Sequence, residues 1–169
     1  MVNDLIPWID ANFRTQADKD HRAMAGLSMG GMQTSAVTMA NLDKFSYIGL
    51  FSGGAASGFG RGGRGSPAPA PPPFDIKTAY NGAMADPAEF NKKVKVFFFS
   101  TGTEPPLENP EGLKKHQEQL IAAGITNSYL YISPGTSHEW QTWRRSLYTF
   151  APLLFQGGPS GSSAKSRRK

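Results

Sequence analysis

Short apolar runs without polar alternation most constrain the fold of this chain. The clearest is KVKVFFFS at 93–100, and comparable runs occupy 22–27, 45–51 and 127–133. A strand that reads as a continuous apolar run is covered on both of its faces, which is typical of parallel sheets flanked by helices. The sequence therefore predicts four buried strands in one mostly parallel sheet.

Helical patterns separate these runs. Residues 3–13 place apolar side chains on one helical stripe, and 30–40 are rich in small and helix-tolerant residues. Residues 111–123 form a helical pattern that ends at Gly124, and 140–155 carry an apolar helical face. Because parallel strands need long crossovers, this alternation predicts an α/β fold with helices on both faces of the sheet.

Two segments fall outside the pattern. Residues 53–73 are glycine-rich and then proline-rich, which predicts a flexible insert that stiffens into polyproline-like chain. Residues 157–169 carry no core-forming side chain and are predicted to form a disordered basic tail. A chain of 169 residues favours one domain, which we place at 1–156.

Charge and composition argue against several classes of function. Four basic residues of the last five supply +4 of the net charge of +5, so the rest of the chain is nearly neutral and indicates no nucleic-acid surface. The sequence has no cysteine, which excludes disulfides and thiolate metal sites. No apolar run reaches the roughly 18 residues of a membrane span, and the start MVNDLIPWID has no signal-peptide pattern.

The segment Gly26-Leu27-Ser28-Met29-Gly30 matches the pattern G-x-S-x-G, in which a serine sits on a sharp turn between a strand and a helix. The flanking glycines leave room for that turn, and the turn lifts the serine hydroxyl above the sheet edge. The N–H of Met29 would then point at a developing oxyanion. The apolar run before Ser28 and the small-residue helix after it favour a nucleophile over a plain turn.

A serine nucleophile needs a base, and three histidines compete for that role. His21 precedes the first strand, at the end of that strand away from Ser28, and His116 lies in a charged segment predicted to face solvent. His138 follows the fourth strand, at the sheet edge where loops of parallel strands gather, and it fits the chain order Ser, acid, His. We therefore assign His138 as the base.

The acid should follow the third strand, in the loop STGTEPPLENPEG. Glu104 is the first carboxylate of that loop and is our choice, with Glu108 as the alternative and Glu111 behind it. Asp75 and Asp86 precede the strand and fit less well.

The segments GLSMGG, FSYIGLFSG, GTE and SPGTSHEWQTWRRSLYTFAPLLF together resemble carbohydrate esterase family 1. This family contains feruloyl and acetyl-xylan esterases of the esterase-D-like α/β-hydrolase group. The resemblance covers residues 1–52 and 74–156, and it rests on the combination of GxSMGG with a histidine followed by W-x-x-W-R.

The resemblance implies an α/β-hydrolase fold, a Ser–His–acid triad, no cofactor or metal, and ester substrates such as feruloylated or acetylated xylan fragments. It also implies a secreted or periplasmic location. By position, Ser28 matches the nucleophile, Met29 the oxyanion donor and His138 the base. The acid departs from the family pattern, because Pro105 stands where an aspartate is common and Glu104 lies one residue earlier.

The resemblance also implies strands and a second oxyanion donor ahead of the serine turn, whereas this chain begins one helix before it. We therefore expect an N-terminally truncated hydrolase fold whose exposed sheet edge can self-associate. The alternatives are an enterochelin or S-formylglutathione type of esterase, or a catalytically impaired remnant that binds a ligand. Trp140 is the predicted substrate-binding residue, and Trp143 and Trp8 are assigned to helix packing.

Overall fold

The computed structural model describes residues 1–54 and 73–156. Most of the predicted 53–73 insert and all of the predicted 157–169 tail lie outside these residues. Within them, four strands form one parallel sheet in sequential order. They are β1 (Ala23–Leu27), β2 (Tyr47–Phe51), β3 (Val96–Gly102) and β4 (Ser128–Ser133). The predicted α/β class and the parallel sheet are confirmed.

The two central strands are covered on both faces. Every residue of β2 and of β3 is buried, which explains why YIGLF and VFFFSTG lack polar alternation. The outer strands β1 and β4 are only partly buried. Within the described ranges, β1 pairs with β2 alone, so its other edge carries unpaired backbone groups.

Five α-helices accompany the sheet in the described part of the chain. They are α1 (Leu5–Asn12), α2 (Met29–Met39), α3 (Pro87–Lys93), α4 (Pro110–Ala122) and α5 (Trp140–Phe150). Helix α3 was not predicted from the sequence, although its start carries a recognisable signal. Asp86 caps the helix by accepting a hydrogen bond from the Glu89 N–H, and Pro87 occupies the first turn.

Two of the boundaries that differ from those predicted have a clear physical reason. The strand expected at 93–100 begins only at Val96, because Lys93 still belongs to α3. The last helix was expected to reach 155 but ends at Phe150, since Pro152 has no N–H to donate. A short 3₁₀ turn over Ala151–Leu153 follows.

Helices cover both faces of the sheet, as predicted. On one face Phe97 and Phe99 of β3 pack in a cluster with Leu120 of α4 and with residues of α2 and α3. On the other face Phe98 packs against Phe150 of α5, with ring centroids 5.2 Å apart. Helix α5 begins at Trp140, directly after the loop that holds His138, so its packing on this face lies close to that loop.

His116 is buried, and the prediction that it faces solvent is wrong. Its residue is 3% exposed, and its Nε2 lies 2.8 Å from the hydroxyl of Tyr80. Leu113, His116 and Leu120 share the inward face of α4 at helical spacing, a pattern that the charged neighbours obscure. Burial lowers the pKa of His116 from 6.5 to about 4.

No helix in the two described ranges is long and apolar enough to cross a bilayer.

We expect His116 to make the free energy of unfolding depend on pH between 6.5 and about 4. In that window the unfolded chain binds a proton at this position and the folded chain does not, so stability falls as pH falls, by about 3 kcal/mol in total. Urea unfolding of wild type and His116→Gln at pH 7, 5.5 and 4 measures this. The variant should lose this part of the pH dependence, and the matched exposed variant His21→Gln should keep it. Equal slopes for wild type and His116→Gln would contradict the assignment.

Candidate active site

Ser28 occupies a strained turn between β1 and α2. Its backbone has φ 51° and ψ −120°, in the positive-φ range that non-glycine residues rarely adopt. The turn is held from outside, because the Ser28 N–H donates to the carbonyl of Phe51 at 2.8 Å. Its own carbonyl accepts from the N–H of Gly31 at 3.0 Å. Such strain at a serine between strand and helix is typical of a nucleophile.

Glycines make the turn possible by allowing backbones to touch. A Cβ at Gly26 would lie 2.2 Å from the carbonyl oxygen of Gly30, and one at Gly53 would lie 2.3 Å from the carbonyl oxygen of Ser28. A Cβ at Gly30 would meet nothing within 4 Å. Gly26, and Gly53 after β2, therefore lie where a side chain would clash with the turn. At Gly30, the second glycine of the motif, a side chain would fit.

The structure brings Ser28 and His138 together across 110 positions of sequence. The Nε2 of His138 lies 2.8 Å from the Oγ of Ser28. The Nδ1 of the same ring lies 2.9 Å from Oε1 of Glu108. This chain of hydrogen bonds has the order nucleophile, base and orienting acid.

Glu108 is held for this contact from its other side. Its side chain is 1% exposed, and its Oε2 accepts from the N–H of Gly102 at 2.8 Å and from the hydroxyl of Thr101. A buried carboxylate with two such donors and an imidazole partner has its hydrogen-bonding needs met. The rigid carboxylate fixes which ring nitrogen of His138 faces Ser28.

The structure places Glu108, and not Glu104, against His138. Glu104 is exposed, its carboxylate accepts a hydrogen bond from the hydroxyl of Thr103 at 2.9 Å, and its N–H donates to the carbonyl of Thr136 at 3.0 Å. The loop turns outward at Glu104 and returns to the end of β3 just before Asn109 caps α4. The helix start fixes the position of Glu108, and this was the signal that sequence reasoning overlooked.

The loops after β3 and β4 are packed backbone against backbone. A Cβ at Gly102 would lie 2.1 Å from the carbonyl oxygen of Thr136, so only glycine permits this approach. The Gly135 N–H donates to the hydroxyl of Thr103 at 2.8 Å. Inside the loop, the Thr136 hydroxyl lies 2.8 Å from Oγ of Ser133. These contacts fix the loop that carries His138 without using its ring.

Met29 and Trp140 lie beside this triad. Met29 begins α2, so its N–H is among the first helical amides, which have no acceptor within the helix. Trp140 is 75% exposed and lines a cavity of about 470 Å³ together with Trp143. Trp143, which the sequence analysis assigned to packing, also contacts His138 edge-on with ring centroids 5.1 Å apart. The roles of Met29 as oxyanion donor and of Trp140 in substrate binding stay predictions.

The remaining candidates lie elsewhere. His21 pairs with Asp18 at 2.8 Å and lines a larger cavity, of about 660 Å³, at the start of β1. Ser28 follows the opposite end of that strand, so this cavity is remote from the triad. Over residues 1–54 and 73–156, no group of three or more His, Cys, Asp or Glu side chains is arranged to hold a metal ion.

Comparison with known proteins identifies the family. The model of the Esterase family matches residues 1–154. The chain belongs to this family. It is 42% identical over 156 residues to an endo-1,4-beta-xylanase/feruloyl esterase of Xylanibacter ruminicola, an alignment that covers 92% of this chain and 17% of that protein.

Solved structures share the fold. A ferulic acid esterase from Anaeromyces mucronatus, in complex with ferulic acid, superposes with a TM-score of 0.62 at 18% identity, over 91% of this chain and 52% of that one. An S-formylglutathione hydrolase from Staphylococcus aureus gives a TM-score of 0.58 at 17% identity, over 90% and 58%. The chain thus has an α/β-hydrolase-like fold and spans little more than half the length of these structures.

The contacts of the two glutamates predict different effects of removing their charge. We expect Glu108→Gln to lower the rate of reaction of Ser28 by about 10³–10⁴-fold, because an amide cannot orient and stabilise the imidazolium as a carboxylate does. The matched variant Glu104→Gln should stay within about twofold of wild type, since its carboxylate contacts only Thr103 and solvent. Labelling rates with a fluorophosphonate probe compare the three proteins. A larger loss in Glu104→Gln than in Glu108→Gln would contradict the geometry.

Proposed function

We propose that this chain is a serine hydrolase that cleaves carboxylic esters through an acyl-enzyme. The observation that carries the proposal is the hydrogen-bonded chain from Ser28 Oγ through His138 to the buried carboxylate of Glu108. The strained backbone of Ser28 between β1 and α2 supports it, because such strain clusters at functional sites and a nucleophilic serine is typically held on this kind of turn.

In the proposed first step, Ser28 Oγ attacks the ester carbonyl carbon while Nε2 of His138 accepts the hydroxyl proton. Glu108 stabilises the resulting imidazolium at Nδ1. The N–H of Met29 donates to the oxyanion of the tetrahedral intermediate, a contribution worth about 2.7–4 kcal/mol in other hydrolases. The C–O bond to the alcohol then breaks, and His138 returns the proton to the leaving oxygen.

In the second step a water molecule replaces the alcohol. His138 accepts a proton from this water as its oxygen attacks the acyl carbon, and a second tetrahedral intermediate forms at the same site. Collapse of that intermediate breaks the bond to Ser28, whose oxygen regains its proton from His138. The net reaction consumes water and releases an alcohol and a carboxylic acid.

The proposed substrates are feruloyl or acetyl esters of plant cell-wall xylan. The xylanase/feruloyl esterase name of the 42% identical relative supports this class, as does the apolar, tryptophan-lined cavity beside the triad. A polymer of the cell wall does not cross a membrane, so we propose a secreted or periplasmic location for the protein that acts on it. The S-formylglutathione and enterochelin types of esterase are the alternative, because this fold also serves them.

We expect a fluorophosphonate probe to label wild type at Ser28, and Ser28→Ala to lose the label completely because the structure pairs the Oγ of Ser28 with His138 Nε2. Mass spectrometry of the labelled peptide identifies the site. Ser35→Ala, on the same helix α2, is the matched control and should be labelled like wild type. An unlabelled wild type would favour the alternative of a binding remnant without catalysis.

Unlabelled wild type is then assayed with methyl ferulate, 4-nitrophenyl acetate and S-formylglutathione, and the protein pre-treated with the probe is the inactive control. Faster hydrolysis of methyl ferulate than of S-formylglutathione supports the assignment to esters of xylan. A preference for the thioester S-formylglutathione would overturn that assignment.

We also propose that two copies associate through the open edge of β1. Beside that edge α1 has no buried residue, and Leu5, Trp8 and Phe13 are all more than half exposed. An unpaired strand edge next to exposed apolar side chains is a common site of pairing between chains.

We expect sedimentation velocity to show a concentration-dependent dimer that Trp8→Lys weakens by at least tenfold, because the charge would have to be desolvated at the interface. Tyr148→Lys, at an exposed aromatic on α5, is the control and should leave the equilibrium unchanged. A protein that sediments as a monomer at every concentration of a series spanning about 100-fold would refute the proposal.

A further inference from the structure

The cavity beside the triad has one charged group in its wall. Six of its lining residues are Leu27, Phe51, Trp140, Gln141, Trp143 and Leu147, and the seventh is Arg144. Leu27 directly precedes Ser28, and the ring of Trp143 contacts that of His138 with centroids 5.1 Å apart, so two lining residues adjoin the triad. Its volume of about 470 Å³ is in the range of small-molecule sites, and an acetyl group alone would leave most of it unfilled.

The shape of the wall favours a flat acyl group. Trp140 and Trp143 meet edge to face with ring centroids 5.2 Å apart, and Phe51 at the end of β2 lines the same cavity. Aromatic walls of this kind bury a planar ring well, both by area and by ring geometry. A polar substituent on such a ring can pair with a donor in the wall.

Arg144 is the charged donor of the wall, beside the neutral amide of Gln141. It follows Trp140 by one helical turn and precedes Leu147 by three residues, so all three share one face of α5. Over the described ranges, no acceptor or acid contacts its guanidinium, whereas neighbouring Arg145 donates to the carbonyl of Pro134 at 2.9 Å. A guanidinium has five N–H donors and no acceptor, and it stays charged at any working pH.

We infer that Arg144 determines acyl specificity by donating hydrogen bonds to oxygen substituents on the ring of an arylpropenoyl ester. The inference rests on the proposed esterase function, and it identifies the ring oxygens of the acyl group as what the pocket recognises. Hydroxyl and methoxyl oxygens accept such bonds, and a ring without them forgoes hydrogen bonds to a charged donor. Arg144 touches the substrate away from the reacting atoms, so it sets preference among esters and leaves the chemistry to Ser28 and His138.

The test compares methyl ferulate with methyl cinnamate, which lacks the ring oxygens, in wild type, Arg144→Met and the control Arg14→Met. Arg14 is exposed and lies ahead of β1, far from the triad. We expect Arg144→Met to lower the ratio of kcat/KM for ferulate over cinnamate about tenfold or more, as for loss of a hydrogen bond to a charged donor. The control Arg14→Met should leave this ratio as in wild type. An unchanged ratio in Arg144→Met would overturn the inference.

A binding measurement separates this inference from the proposed function. In the Ser28→Ala background, ligand-observed NMR titration gives the Kd of both neutral esters without any turnover. Tighter binding of methyl ferulate than of methyl cinnamate, lost on adding Arg144→Met, supports the role of Arg144 even if wild type proves unreactive. Equal Kd values for the two esters, or no binding of either, would refute it while leaving the labelling of Ser28 as an independent result.

Discussion

The contact between two backbones, Gly102 at the end of β3 and the carbonyl of Thr136 after β4, is the constraint on which the site depends. Because no side chain separates these loops, the Gly102 N–H donates to Glu108 while His138 from the neighbouring loop reaches the same carboxylate. The parallel sheet brings the loops to one edge, and the glycine brings them within hydrogen-bonding distance. A side chain at position 102 would push the base away from its acid.

The nucleophile depends on the sheet in the same way. Ser28 keeps a positive φ because β2 holds the turn from outside, through the carbonyl of Phe51 and the close backbone of Gly53. Helix α5 then links stability with recognition. Its Phe150 closes the second apolar cluster of the sheet, while Trp143 on the same helix contacts His138 and lines the cavity. Packing of α5 on the sheet therefore also sets the shape of the proposed acyl pocket.

Residues with strong local signals could be placed from the sequence. The apolar run around Phe98 predicted a central strand because only burial on both faces tolerates it. Ser28 was identified from the glycines around it, and His138 from its position after a strand. The Oγ of Ser28 and the Nε2 of His138 lie 2.8 Å apart. Helix α3 was missed because its seven residues are short for periodicity analysis, although Asp86 and Pro87 marked its start.

Choices among similar residues were decided only by tertiary structure. Glu104 and Glu108 lie in one loop, and sequence spacing does not say which carboxylate turns back to Gly102 and which turns to solvent. His116 looked exposed among charged neighbours, yet packing of α4 on the sheet buried it. The sequence by itself determined the strands, the helices that alternate with them and the serine turn, because these follow from local periodicity and backbone sterics. The tertiary structure decided the acid, the buried histidine and the pocket, because each depends on contacts between segments distant in sequence.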